Sequence, residues 1–277
     1  LGTVIATDHA KLDFAQVQSI PSVLDRLAPA LIVNTAAYTA VDKAEDEPEL
    51  ASLVNASAPG VIAAWASEQK VPLIHFSTDY VFDGRGELPW SEDDAPRPIS
   101  TYGATKLAGE EAIRAEGGSF LIVRTSWVYA SKGSNFLRTI ARLALDRTEL
   151  RVVADQIGAP TSAALVADVI AGILAAGPDN FREAAAEAKG LVHLTASGET
   201  SWHLFASEIV SGLQARGVKL AAKRVIPIRT EDYPMRARRP HNSRLSLERL
   251  HTVFGITTQY WTHALGPELD QLAREMI

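Results

Sequence analysis

Tyr102-Gly103-Ala104-Thr105-Lys106 places a phenol and an ammonium four residues apart. On a helix, positions i and i+4 share a face, so the ammonium can lie near the phenol and favour its ionised form. A free tyrosine titrates at about 10. A lowered value brings its proton within range of general acid–base work near neutrality. The spacing alone is common enough to arise by chance. Two further polar segments add to it: Ser77-Thr78-Asp79-Tyr80-Val81-Phe82-Asp83-Gly84 holds two hydroxyls and a phenol, and Asn34-Thr35-Ala36-Ala37-Tyr38-Thr39-Ala40-Val41-Asp42 is rich in small residues. Each read alone is an ordinary strand–turn or strand–helix junction.

The elements that must position these groups follow from the hydrophobic pattern. Strands are expected at Val4-Ile5-Ala6, Leu31-Ile32-Val33-Asn34, 71–76, 120–123 and 192–194, and helices at about 47–68, 104–115, from Asn135 to 145, 162–175 and 201–215. Short apolar strands separated by helices predict an α/β fold with a doubly wound parallel sheet. Ligands of such sheets sit beyond the carboxyl ends of the strands, where the polar segments above fall. After about residue 150 the pattern loosens. The expected division is a dinucleotide-binding domain over 1–150 and a smaller substrate-binding lobe over 151–277, with some elements of the second returning to the main sheet. The Ala-rich stretch 177–189 reads as mobile, and 227–244 as a Pro/Arg-rich loop.

Composition sets limits. The chain has 277 residues, 47% hydrophobic, with a net charge of −6; a sizeable core is affordable and a nucleic-acid partner is disfavoured. It has no cysteine, so thiolate chemistry and disulfides are excluded. The seven histidines show no metal-ligand spacing, and no catalytic metal is expected. No long apolar run or signal peptide stands out, and a cytoplasmic protein with no membrane partner is expected.

A Thr after one strand with Tyr-x-x-x-Lys opening the next helix resembles the Ser/Thr–Tyr–Lys triad of extended short-chain dehydrogenases/reductases. Within that superfamily the two segments above, together with Arg124-Thr125-Ser126-Trp127-Val128-Tyr129, Asp155-Gln156-Ile157-Gly158-Ala159-Pro160-Thr161 and Ala237-Arg238-Arg239-Pro240-His241-Asn242-Ser243, are similar to the dTDP-4-dehydrorhamnose reductase family along essentially the whole chain. The resemblance implies a Rossmann-like fold and reduction of the C4 ketone of dTDP-4-dehydro-L-rhamnose to dTDP-L-rhamnose, with NADPH and in some members NADH. It implies Tyr102 as proton donor, Lys106 as holder of the nicotinamide ribose and Thr78 as partner of the substrate oxygen. Asp13, Phe14, Ala36, Ala37 and Thr39 would line the cofactor. Val41, Tyr80 and Trp127 would contact the sugar nucleotide, and Asn135, Arg238 and Arg239 its diphosphate. Some members hold a magnesium ion between glutamates at a homodimer interface; no glutamates here are singled out for it.

The chain departs from the family at its start. No Gly-rich phosphate loop precedes Val4, and the expectation is that the family's first strand and loop lie upstream of residue 1, leaving this polypeptide weak in dinucleotide binding. Asp8, at the end of the strand expected over Val4-Ile5-Ala6, favours the free 2′-hydroxyl of NAD. Two other readings stay open: another nucleotide-sugar reductase or epimerase, and a non-catalytic regulatory subunit of the same fold. Asp79-Tyr80 after Thr78 disfavours a dehydratase, and retention of Thr78, Tyr102 and Lys106 disfavours the regulatory reading.

Overall fold

The computed structural model describes residues 2–277. Residues 2–16 form no regular element. The strand expected at Val4-Ile5-Ala6 is absent: Val4 is 87% exposed and Ile5 57%. Apolar, β-branched composition marks a segment that can pair, but a strand also needs a ladder partner, and these residues have none among those described. Phe14 is the first side chain in the core. Helix α1 (Ile20–Leu27) follows, with Pro21 in its first turn and Ala28 in a left-handed conformation at its end.

Strand β1 (Ile32–Asn34) leads through an irregular stretch to α2 (Val41–Ala44). Then α3 (Pro48–Ser52) runs through a π-helical turn (Leu53–Ser57) into α4 (Ala58–Glu68). This 21-residue run is by length and composition apolar enough to cross a membrane, but half of it is buried inside the protein. Next come β2 (Leu73–Thr78), α5 (Thr101–Glu116), β3 (Phe120–Thr125) and β4 (Val128–Tyr129). They are followed by α6 (Phe136–Asp146), β5 (Glu149–Val153), β6 (Ile157–Gly158), β7 (Thr161–Ser162) and α7 (Ala163–Ala175). The chain continues with α8 (Pro178–Glu187), β8 (Leu191–His193), β9 (Thr200–Ser201), α9 (Trp202–Ala215), β10 (Arg224–Ile228), α10 (Glu248–Phe254) and α11 (Trp261–Met276).

The main sheet has the order β1-β2-β3-β8, every pair parallel. Successive strand residues face opposite sides, and both sides are covered. Leu73, Ile122 and Leu191 pack with Ile20, Leu24, Ile62 and Ile113 of the helices on one face. Ile74, Leu121, Val123 and Val192 pack on the other face with α6, α7, α9 and α11. This explains the unbroken apolar strands. The second core draws side chains from both sides of residue 150, from Ile74 to Ala273. Strands β5 and β10 form a separate parallel pair.

The stretch expected to be mobile, 177–189, is instead the helix α8. Phe181 and Ala185 are one turn apart and both are 2% exposed, so this helix is anchored by an apolar face that its alanine richness obscures. The expected loop over 227–244 begins within β10.

Helix α5 lies very close to the π-helical turn: a Cβ on Gly109 would stand 2.1 Å from the Asn55 carbonyl oxygen. That oxygen belongs to the backbone and cannot move aside cheaply. Gly109→Ala is expected to lower stability by about 1–3 kcal/mol, read as a fall in the thermal unfolding midpoint; an unchanged midpoint would contradict this close approach.

Candidate active site

The first turn of α5 is held from three sides. Ser100 Oγ accepts from Gly103 N at 3.2 Å, the N-cap role that hydroxyl residues favour. The Glu45 carboxylate accepts from Thr101 N at 2.8 Å and from its hydroxyl at 2.7 Å. Gly103 abuts the Tyr80 carbonyl, which an added Cβ would meet at 2.1 Å. Asn55, in the π-helical turn, donates to Thr105 Oγ1 at 3.1 Å and to Tyr38 O at 3.1 Å, and accepts from Tyr38 N at 2.8 Å. It thus ties the segment after β1 to α5. These contacts aim Tyr102 and Lys106 at the carboxyl end of β2.

Thr78 is the last residue of β2. Its hydroxyl accepts from Tyr80 N at 3.2 Å and donates to Asp79 Oδ1 at 3.1 Å, and it also meets the Tyr102 phenol. The Tyr80 and Tyr102 rings pack edge-on, 5.4 Å apart. Burial pushes the Tyr102 phenol up to about 12; contact with Thr78 opposes this and the Asp79 charge adds to it. Asp79 is itself buried, and desolvation carries it up to about 7 against the Ser243 and Thr78 hydroxyls. Its Oδ2 has no hydrogen-bond partner.

Lys106 is buried. Its Nζ donates to Phe76 O at 2.7 Å and lies 3.2 Å from His75 Nε2. The ladder between β1 and β2 ends at Asn34 and His75, and the lysine reaches the carbonyl one residue beyond. Burial pulls Lys106 down to about 8, with the Glu110 carboxylate opposing. The expected lowering of Tyr102 by this ammonium does not occur here. Desolvation dominates the phenol, and the lysine turns toward Phe76 and His75. Behind it, the Glu110 carboxylate accepts from Ser77 Oγ at 2.5 Å and from Arg124 Nε and Nη2 at 2.8 and 2.6 Å. This buried bidentate pair fastens α5 to both β2 and β3.

The remaining expected residues are spread around this centre. Ala36, Ala37 and Thr39 lie in the irregular stretch after β1, where Asn34 Oδ1 accepts from Ala36 N at 3.1 Å. Val41 opens α2. The adjacent Asp42 accepts from Ala237 N at 3.0 Å and from Arg239 at 2.6 Å, so 229–244 is strapped to α2. The Arg239 guanidinium lies 5.9 Å from the Tyr80 ring centroid, its charge paired with Asp42, while Arg238 is exposed. Trp127 follows the end of β3, where Thr125 pairs in register with Thr78. It has a left-handed backbone (φ 48) and stacks on Trp202 with centroids 3.6 Å apart. Asn135 caps α6 through Arg138 N, and its amide donates to Ala130 O and Lys132 O. Asp13 accepts from Ala15 N at 2.9 Å and pairs with His9, while the Phe14 side chain is in the core with Ile20 and Ile62. The structure therefore brings Thr78, Tyr80, Tyr102 and Lys106 together, draws Arg239 to their rim, and engages Asp13 and Phe14 in other contacts. Sequence gives His75, Asn55 and Glu45 no expected role and counts Asp79 only against a dehydratase. His75 and Asp79 carried a signal: a histidine inside a buried strand and an acid beside Thr78.

The RmlD substrate binding domain family matches residues 2–274. The chain belongs to this family. It is 43% identical to the dTDP-4-dehydrorhamnose reductase of Escherichia coli K12 over 276 residues, covering 98% of this chain and 91% of that one. Among solved structures, the dTDP-4-dehydrorhamnose reductase of Clostridium acetobutylicum superposes with a TM-score of 0.87 at 36% identity, over 97% of this chain and 90% of that one. The Bacillus anthracis dTDP-4-dehydrorhamnose reductase, solved in complex with NADP, superposes with a TM-score of 0.85 at 32% identity, over 96% and 88%. The Rossmann-like parallel sheet of this chain is the fold of its family.

Asp79 carries a pH signature. Its folded value of about 7 lies above the ordinary 3.8, so the folded protein holds this proton more tightly than the unfolded chain. The stabilisation is full below the ordinary value and disappears as pH rises through about 7. Asp79→Asn should remove this decline, worth on the order of a few kcal/mol. Comparing denaturant unfolding at mildly acidic and mildly basic pH checks it; equal pH slopes in the two proteins would refute the buried acid.

Proposed function

We propose that Thr78, Tyr102 and Lys106 are the catalytic groups of a nucleotide-sugar ketone reductase. The chain is a reductase of the dTDP-4-dehydrorhamnose type, converting the C4 ketone of dTDP-4-dehydro-L-rhamnose to the alcohol of dTDP-L-rhamnose. The observation that carries the assignment of roles is the contact of the Tyr102 phenol with the Thr78 hydroxyl at the carboxyl end of β2, with the buried Lys106 amine on the Phe76 carbonyl two residues back along that strand. The surroundings suit a nicotinamide dinucleotide. The exposed, small Ala36 lies at the sheet's rim, and the buried Asp79 Oδ2 and Thr125 Oγ1 lack protein partners there.

A bound nicotinamide dinucleotide, NADPH in this reading with NADH as a second donor, supplies the hydride. The protein's part is placement and proton transfer. Thr78 hydrogen-bonds the ketone oxygen and holds the carbonyl beside Tyr102. The phenol, kept protonated by burial, gives its proton to that oxygen as negative charge develops on it. Lys106 holds the ribose and stabilises the phenolate left behind. Ala36, Ala37 and Thr39 line the cofactor. Val41, Tyr80 and Trp127 contact the sugar nucleotide, and Asn135 with Arg238 and Arg239 borders its diphosphate. The β5–β10 layer with α9 belongs to the substrate lobe. The same reading makes the protein a cytoplasmic enzyme. Among the described residues no group of three or more His, Cys, Asp or Glu is arranged to hold a metal.

Dinucleotide oxidation, followed by absorbance with dTDP-4-dehydro-L-rhamnose as substrate, tests the assignment. Tyr102→Phe is expected to slow turnover by about 10²–10⁴-fold with cofactor binding retained. Full turnover in the variant, or none in a folded wild-type protein that binds dinucleotide, would overturn it.

A further inference from the structure

The surroundings of Lys106 contain a hydrogen-bond chain whose direction is determined at one end. Ala36 N lies 3.1 Å from Asn34 Oδ1. A backbone N–H can only donate, so the Asn34 carbonyl oxygen faces it and the amide nitrogen points away. That nitrogen is 3.0 Å from His75 Nδ1, which must then accept. A neutral imidazole has one N–H, so the proton is on Nε2. Nε2 in turn stands 3.2 Å from Lys106 Nζ. An ammonium has three donors and no acceptor, so a charged Lys106 would set donor against donor. A neutral amine has a lone pair for His75 and an N–H for Phe76 O, 2.7 Å away.

We propose that Asn34 and His75 are positioning residues that favour the neutral amine of Lys106 and couple its charge to what binds the Ala36 amide. All three side chains are buried, so water does not readily relieve a mismatch. For Lys106 to be charged with the chain satisfied, His75 must hold its proton on Nδ1 and Asn34 must turn over, which breaks its bond to Ala36 N. A dinucleotide oxygen that accepts from that amide removes the obstacle, and Lys106 then takes up a proton from solvent. The other charged or titratable groups near the lysine are Glu110 one turn along α5, engaged by Arg124 and Ser77, Tyr102 one turn back, and Asp79 at the end of β2. Glu110 favours the charged amine while burial opposes it. Burial also holds His75 well below the ordinary imidazole range, so its tautomer, not its charge, responds. The inference uses the proposed role of Lys106 for its meaning, but its test needs no substrate or turnover.

The first measurement is the His75 tautomer by long-range proton–nitrogen correlation in the full protein, at a pH above the value of about 8 to which burial brings Lys106, so that the amine is mostly neutral. The expected ring carries its proton on Nε2 without dinucleotide and on Nδ1 with NADP bound. Calorimetric titration with NADP in two buffers of different ionisation enthalpy should show net proton uptake. Asn34→Asp offers acceptors to both Ala36 N–H and His75, so its ring should carry the proton on Nδ1 from the start and the uptake should vanish. An Nδ1–H ring or an imidazolium in the unliganded wild-type protein overturns the proposal. So does proton uptake that persists in a folded Asn34→Asp protein. If the wild-type tautomer is as expected but no sugar is reduced, the reductase reading fails and this one stands.

Discussion

Helix α5 packs so closely on the turn after β2 and on the π-helical turn that Gly103 and Gly109 face backbone oxygens, those of Tyr80 and Asn55, which a methyl group would strike. Such contact excludes water, and every polar group on that face of the helix must then find a partner within the protein or bear the cost of desolvation. Lys106 finds Phe76 O and His75, and Glu110 finds Arg124 and Ser77. The Tyr102 phenol, left with Thr78, is driven upward by the same burial. The tight seam that positions the candidate catalytic groups is therefore also what determines their protonation.

The two buried charge systems on α5 differ in kind. Glu110 and Arg124 are 1% and 3% exposed and joined by two hydrogen bonds. Removing one partner of such a pair typically costs about 3–5 kcal/mol because the other is stranded. That pair makes the floor of the site rigid. Lys106 has no carboxylate at bonding distance, only a carbonyl and a ring nitrogen, so its charge is free to change without breaking the fold. Across the rim, Asp42 and Arg239 perform a third task, drawing the 229–244 segment over Tyr80.

Much of this was legible in the sequence. The strands that became β1, β2, β3 and β8 are short apolar runs because both faces of the sheet are covered, and the polar residues that end them lie at the rim as expected for a parallel sheet. Tyr102 and Lys106 share a helix face as their spacing requires. What periodicity does not encode is the partner. Val4-Ile5-Ala6 has the composition of a strand but nothing among the described residues to pair with. The 177–189 stretch hid an anchored helix because a single phenylalanine and one small residue supply its buried face. The expected influence of Lys106 on Tyr102 failed for a related reason: a lysine donates to whichever acceptor the backbone leaves open, and here that is the carbonyl past the end of the β1 ladder. Likewise the charge of Arg239 is neutralised by a residue far away in sequence, Asp42.

The protonation states combine into a coherent resting site. A phenol at about 12 stays neutral under mildly basic conditions, while an amine at about 8 changes its charge there. In both groups burial disfavours the ion, because each buried ion costs several kcal/mol. Reduction of a ketone reverses this: the phenol gives up a proton, and a negative charge appears where there was none. A nearby amine poised to become an ammonium is then stabilising only once the charge has developed, which is the condition under which an electrostatic contact accelerates a reaction instead of merely tightening binding. A lysine permanently charged by a strong carboxylate partner would already be compensated and would contribute less. The pairing of Lys106 with a carbonyl and a tautomer-switching histidine, and of Glu110 with Arg124, keeps those two roles on separate residues of one helix.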